Sequence, residues 1–532
     1  MAEINYRNLD ECASFEALAS MGRPELHSLL SAGRVSACEI PITAGLSYNY
    51  AAKPVDEAVL GELQKLADEQ QLIRKYRQIL SGAVMNTGEG RMVLHHLCRG
   101  ELAGPVTHEG KNLRDFYVEQ QERFSEFAHS VHSGSVTGHG GRQIESIVQI
   151  GIGGSDLGPR ALYLALLGHE HEHGGKRRRG PLLETRFISN VDPDDATLAL
   201  RGLDPASTLF VLVSKSGTTQ ETLTNEALAV EWLQAGGVTA PRKQIVAVTS
   251  ETSPLAKSSD YLDSFFIDDF IGGRYSSTSA VGGTLLSLAY GAETFGEILE
   301  GARAADRAAL EPSLDANAAL ADALIGVYER NVLGFPATAV LPYSQALIRF
   351  PAHLQQLDME SNGKQVNRDG KPIAYQTGPI IFGEPGTNGQ HSFYQLLHQG
   401  TTIVPLQFVG FSESQCDRDV VFEGSSSQQK LTANLAAQIV AFSLGRQSDN
   451  PNKNFPGGRP SSVICGDRLT PAALGALLAH FENKVMFQGL AWNINSFDQE
   501  GVQLGKVLAK DVLQGNFSDP VLEAYAKLLG AT

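Results

Sequence analysis

Apolar residues follow two different rhythms along this chain. From Ser146 onward, short β-branched runs alternate with amphipathic stretches such as "TQETLTNEALAVEWLQA". The runs are "SIVQI", "TRFISN", "TLFVLVS", "QIVAVTS" and "SFFID", and each is bounded by Gly, Pro, Ser or Asp. Runs that are apolar on both faces and alternate with helices predict a parallel sheet covered by helices on both sides. Past a helical connector near 300–330 the pattern resumes in "ATAVLPY", "PIIFG", "TTIVPLQFVGF" and "SSVICG". Before residue 140 the spacing is helical instead, with helix formers densest over 56–80. The expected fold is α/β, with two tandem doubly wound domains at 145–290 and 335–510. A mostly helical region over 1–140 precedes them, and a helical tail over 511–532 follows.

A chain of 532 residues is too long for one simple core, which agrees with two domains. Its net charge of -16 argues against nonspecific binding to nucleic acid or to anionic lipid, since both need a positive surface field. A small anionic substrate stays compatible, provided basic groups and helix N-termini gather locally. The first twenty residues carry acids where a secretory signal is basic, and no apolar run reaches the ~18 residues of a membrane span. Five scattered cysteines without a CxxC pair indicate neither a disulfide framework nor a zinc site. A soluble, reduced, cytoplasmic protein is expected. The charged stretch "GHEHEHGGKRRRGP", 168–181, reads as a mobile surface loop without chemistry.

In doubly wound sheets, ligands sit in the loops at the carboxyl ends of strands. One such loop is "GIGGSDLGP", 151–159, after "SIVQI". It fails as a dinucleotide fingerprint because Asp156 replaces the third glycine of GxGxxG. An acid there repels a pyrophosphate but suits sugar hydroxyls; a tight turn needing positive φ is the plainer alternative. The second loop is "SKSGTTQET", 214–222, which sets the hydroxyls of Ser214, Ser216, Thr218 and Thr219 around Lys215 and opens a helix. Hydroxyls, backbone N–H groups and a positive helix end suit a terminal phosphate, whereas N-capping explains one hydroxyl and not four. Arg274, in "GGRYSSTSAVG", is a third basic candidate, or a surface arginine in a turn.

The second domain offers Glu360 in "LQQLDMESNGKQV", ahead of the turn "SNGK", where a solvated helix-end acid is the ordinary reading. His391 stands in the glycine-rich "GEPGTNGQHSFYQLLHQG", where glycines allow a backbone to approach a ligand; a structural histidine is the alternative. Lys506, in "SFDQEGVQLGKVLAK", falls with Lys510 opposite Leu504 and Leu508, as on an ordinary solvated face. These residues point to a phosphate-binding α/β protein with acid, base and cation candidates. They do not fix a reaction.

Six of these segments occur in an order that resembles the glucose-6-phosphate isomerase (phosphoglucose isomerase) family: "GIGGSDLGP", "SKSGTTQET", "GGRYS", "MESNGKQV", "GEPGTNGQHSFYQLLHQG" and "SFDQEGVQLGKVLAK". "NTGEGRMVLHHLCR" resembles the family's N-terminal region, so the likeness runs from about residue 85 to 512. The resemblance implies two sugar-isomerase (SIS-type) domains and reversible interconversion of glucose 6-phosphate and fructose 6-phosphate, in glycolysis and gluconeogenesis, without metal or cofactor. It implies phosphate contacts from Ser214, Lys215, Ser216 and Thr219, and sugar contacts from Gly154, Ser155, Gln356 and Gln499. Glu360 takes the role of base, Arg274 that of the cation at a cis-enediolate, and His391 and Lys506 those of the ring-opening groups. Homodimers sharing sites through the histidine are also implied. Two positions depart from the pattern: Ser216–Gly217 replace Thr and a bulkier residue, and Glu500 stands where an aromatic is common. A noncatalytic sugar-phosphate regulator would lose the second-domain groups, which are present here; a related phosphosugar isomerase differs only in pocket walls.

Overall fold

The computed structural model describes residues 4–173, 175–416, 418–517 and 519–531. Two compact units divide the chain, Met1–Ser496 and Phe497–Thr532. The second holds the helices Gln503–Leu513 and Pro520–Leu528. Two sheets organise the first.

A hairpin comes first in the chain, β1 (Glu39–Thr43) and β2 (Leu46–Asn49). The first large sheet contains β3 (Ser146–Ile150), β4 (Glu184–Ile188), β5 (Thr208–Val213), β6 (Ile245–Thr249) and β7 (Asp263–Phe266). They pair in parallel in the order β7-β6-β5-β3-β4. Every residue of β3, β5 and the β6 run "IVAVT" is buried, as strands covered on both faces require. After β3 the chain first adds β4 on one side and then β5 on the other. The order therefore reverses between β3 and β5, and a crevice opens there at the strands' carboxyl ends.

The second sheet uses β8 (Ala337–Tyr343), β9 (Ile380–Phe382), β10 (Leu406–Phe411) and β11 (Ser461–Gly466), in the order β1-β2-β11-β10-β8-β9. β8 to β11 pair in parallel, and β2 runs antiparallel to β11. The N-terminal hairpin thus extends the second sheet, a strand contribution that the helical spacing of the first 140 residues conceals. The helix-rich stretch 56–80 is two helices, Glu57–Glu69 and Leu72–Leu80, parted by Gln71 at φ +53.

The long helix Pro471–Ala491 is buried along nearly its whole length and crosses Ala292–Ala308 at glycine contacts. A Cβ on Gly475 would stand 1.9 Å from the Ile298 carbonyl oxygen, and one on Gly301 1.9 Å from that of Ala472. Only glycine permits so close a crossing. Among the described residues, no helix is long and apolar enough to cross a membrane.

The stretch 168–181 is not a loose loop. Glu170–His173 and Lys176–Arg179 pair antiparallel, and Glu170 binds both Arg177 (3.2 Å) and Arg179 (2.9 Å). Opposite charges facing each other across the strands give this polar segment a register.

Candidate active site

Both anion-loop candidates leave the strands that flank the topological switch, β3 and β5. After β3, Gly153 takes φ +61, and Gly154 is packed against the segment carrying Arg274. A Cβ on Gly154 would lie 2.1 Å from the Gly273 carbonyl carbon, so the two loops meet backbone to backbone. Ser155 is half-buried beside them, and its carbonyl accepts from Gln149 Nε2 at 2.7 Å. Asp156, the acid that breaks the dinucleotide pattern, is paired within its own helix. Its buried carboxylate binds Arg160 Nε at 2.7 Å, one helical turn on.

After β5, the hydroxyls form two pairs: Ser214 Oγ donates to Thr219 Oγ1 (3.2 Å) and Thr218 Oγ1 to Ser216 Oγ (3.0 Å). Thr219 occupies the N-cap of Gln220–Ala235, yet its side chain makes no capping bond. The capping explanation therefore fails for Thr219, and the first amides of this helix point toward the same loop. Lys215 Nζ donates to the Ile271 carbonyl at 3.2 Å, which ties the loop to the segment that leads into Arg274. Burial holds the Lys215 ammonium below its usual range, opposed by the neighbouring Asp269 carboxylate. A dianionic phosphate would favour the charged form further.

Arg274 is the opposite of a surface residue: its side chain has 0% exposure. Nε donates to Ser361 Oγ (2.7 Å) and Nη2 to the Ser496 carbonyl (2.6 Å). Nη1 stands 3.8 Å from Glu360 Oε1. The turn Gly273–Thr278 that carries it is anchored at its far end, where Arg99 Nε donates to Thr278 Oγ1 at 3.1 Å. Arg99 in turn is held by Asp306 at 3.1 Å and by Glu482, all of them buried. Burial of so many charges is tolerable only because each is paired.

Glu360 ends a π-helical turn, Gln355–Glu360, that continues the α-helix Phe350–Leu354. A π turn inserts one residue into the ladder and re-aims the side chains beyond it. The Glu360 side chain is 20% exposed, so it lies at the edge of the interior and not on a solvated helix end. One turn earlier, Gln356 reaches toward Gly153: its Nε2 would be 3.3 Å from a Cβ there, while its buried Oε1 has no partner. An unpartnered buried acceptor beside a carboxylate and a cation is what a hydroxyl-rich ligand could satisfy.

His391 ends the turn Asn388–His391 and is exposed, with Nε2 3.4 Å from Gln390 Nε2. Two of the glycines before it are required by packing. A Cβ on Gly383 would be 1.7 Å from the Val340 carbonyl oxygen, and one on Gly386 2.3 Å from the Tyr343 ring. Gln499 and Lys506 belong to the C-terminal unit, Gln499 just before the turn Glu500–Val502 and Lys506 on Gln503–Leu513.

The structure thus brings together Gly154, Ser155, Lys215, Arg274, Gln356 and Glu360, all within the first unit. It also adds residues that sequence reading passes over. Ser361 and Asn362 do not form the expected turn but continue the helix. Ser361, Asn362, Tyr275 and Ser496 are buried around Arg274. The available signal was a polar run, "ESN", directly following helical spacing, but turn chemistry explained it equally well.

The family model for phosphoglucose isomerase matches residues 49–525. A glucose-6-phosphate isomerase of Treponema denticola is 56% identical over 535 residues, covering 99% of this chain and 100% of that protein. One of Borreliella burgdorferi is 46% identical over 528 residues, covering 98% and 99%. The crystal structure of a glucose-6-phosphate isomerase from Chlamydia trachomatis superposes with a TM-score of 0.91 at 42% identity, covering 98% of this chain and 99% of that one.

Proposed function

The chain belongs to the phosphoglucose isomerase family, and from that premise we propose how its residues divide the work. The protein reversibly interconverts glucose 6-phosphate and fructose 6-phosphate. Its two sheets are read as two sugar-isomerase domains, near 145–290 and 335–510. Ser214, Lys215, Ser216, Thr219 and the helix amides behind them hold the phosphate. Gly154, Ser155, Gln356 and Gln499 hold the sugar. His391 and Lys506 deliver and remove the protons of ring opening. Glu360 then takes the proton from C2 and returns it to C1, while Arg274 stabilises the cis-enediolate oxygen.

The observation that carries this reading is the relation of Arg274 to Glu360. A relaxed ion pair closes to about 2.7–2.9 Å. Here the guanidinium is restrained by Ser361 and Ser496, and the nearest approach is 3.8 Å. The carboxylate therefore keeps its capacity to accept a proton from carbon beside a fixed positive charge. A positioned base contributes about 10²–10⁴-fold, and a preorganised oxyanion partner about 10²–10³-fold.

The test is purified protein with fructose 6-phosphate, glucose 6-phosphate formation being followed by a coupled dehydrogenase. Lys215→Ala should raise KM for fructose 6-phosphate by about 10–100-fold, the worth of one charged hydrogen bond, with a smaller change in kcat. An unchanged KM would remove Lys215 from the phosphate site.

The same reading makes the enzyme a cytoplasmic homodimer, the assembly that the family resemblance implies. The exposed His391 completes the partner's site. Mixing inactive His391→Ala with inactive Glu360→Gln subunits, under conditions of exchange, should restore part of the activity, because each heterodimer regains one intact site. No recovery after verified exchange would contradict the shared site.

A further inference from the structure

Groups distant in the chain grip Arg274 at two edges. Its Nε and Nη2 edges are bound by Ser361 Oγ and by the Ser496 carbonyl, at 2.7 and 2.6 Å. Ser361 follows Glu360 directly in the chain and is wholly buried, at 0% exposure. Its Oγ also lies 3.0 Å from Tyr275 Oη, the residue next to Arg274. A guanidinium has no acceptor, so Ser361 must accept from Arg274, and its remaining lone pair or proton serves Tyr275. Tyr275 is itself held by stacking on His95, with ring centroids 4.6 Å apart.

The other edge is braced through the same helical turn. Ser496 Oγ donates to Asn362 Oδ1 (2.8 Å), and Asn362 Nδ2 donates to the Val485 carbonyl (3.0 Å). Glu360, Ser361 and Asn362 are thus three consecutive residues. The first is the base, the second grips one edge of the cation, and the third holds the group that grips another.

We infer that Ser361 is a positioning residue of the isomerisation, one that locks base and cation into a single unit by binding Arg274 from the turn that carries Glu360. The inference rests on the proposed roles of Glu360 and Arg274. An arginine side chain has several rotatable bonds, and a misplacement of about 1 Å at a reacting centre can cost about 10²-fold. A serine beside the base removes that freedom where it matters. A buried hydroxyl serving only stability would have no reason to act through Arg274.

A double-mutant cycle decides the question. Ser361→Ala should lower kcat by roughly 10–100-fold, the worth of a hydrogen bond to a charged group, with KM for fructose 6-phosphate within about twofold. In an Arg274→Gln background the same substitution should cost less than about twofold, because the group it positions is gone. Equal costs in both backgrounds, or an unchanged kcat in Ser361→Ala, would overturn the inference and leave the roles of Glu360 and Arg274 standing. Arg274→Gln without effect on kcat would instead overturn the reading of the cation. If Ser361→Ala does not fold, Tyr275→Phe keeps the ring stacked on His95 and frees the Ser361 hydroxyl. It should then lower kcat several-fold in the natural background only, and an unchanged kcat would count against the inference.

Discussion

Arg274→Gln should lower turnover about 10²–10³-fold and leave KM for fructose 6-phosphate within about a factor of two. The substitution keeps a planar amide in the buried slot but removes the charge proposed to meet the developing enediolate oxygen. Ground-state sugar hydroxyls have no full negative charge to lose, so binding changes little and the loss falls on the chemical step. Some stability goes as well, since the Ser496 carbonyl loses its charged donor, a loss worth about 1–3 kcal/mol. Kinetics at a temperature well below the variant's melting point separate the two effects. A variant with normal kcat and lowered stability would make Arg274 a structural arginine.

How far the sequence discloses this arrangement depends on what each local pattern can encode. The parallel strands are legible because burial on both faces leaves unbroken apolar runs, as in "TLFVLV" and "IVAVT". The two anion loops are legible because they follow such strands directly, and the β3–β5 reversal explains why both face one crevice. The hairpin β1–β2 is not, since "EIPIT" is short and holds Pro41, and β2 finds its other partner, β11, more than 400 residues away in the chain. The hairpin at 170–179 hides behind charges whose pairing is visible only across the strands.

Glu360 was legible only as a family likeness. Helical spacing assumes 3.6 residues per turn, and the π turn Gln355–Glu360 departs from it at the position that aims the carboxylate. Arg274 looked superficial for a related reason. The groups that bury it, Ser361 and Ser496, lie 87 and 222 residues away in the chain. Local pattern carries no trace of such partners. His391 and Lys506 owe their proposed roles to the resemblance alone, one on an exposed turn and the other in a separate compact unit.

The largest effect belongs to Glu360→Gln. Glutamine preserves size and most hydrogen bonding but cannot accept a proton from carbon. The protein should fold and bind substrate nearly as before, because Ser214, Lys215, Ser216 and Thr219 belong to the other sheet's loops. Turnover should fall by about two to four powers of ten. Rate alone does not name the base, since a misplaced cation also slows the reaction. Proton exchange does. While the C2 proton sits on the carboxylate it can be traded for one from solvent, so isomerisation in deuterated water places deuterium in the product or in recovered substrate. The most direct measurement of the central claim is therefore that label, compared between the natural protein and Glu360→Gln at matched substrate exposure. The account predicts clear incorporation with the natural protein and almost none with the variant. Normal labelling by Glu360→Gln, with more than about a tenth of natural turnover retained and hence outside the range for a lost general base, would contradict it and assign the proton transfer to another residue.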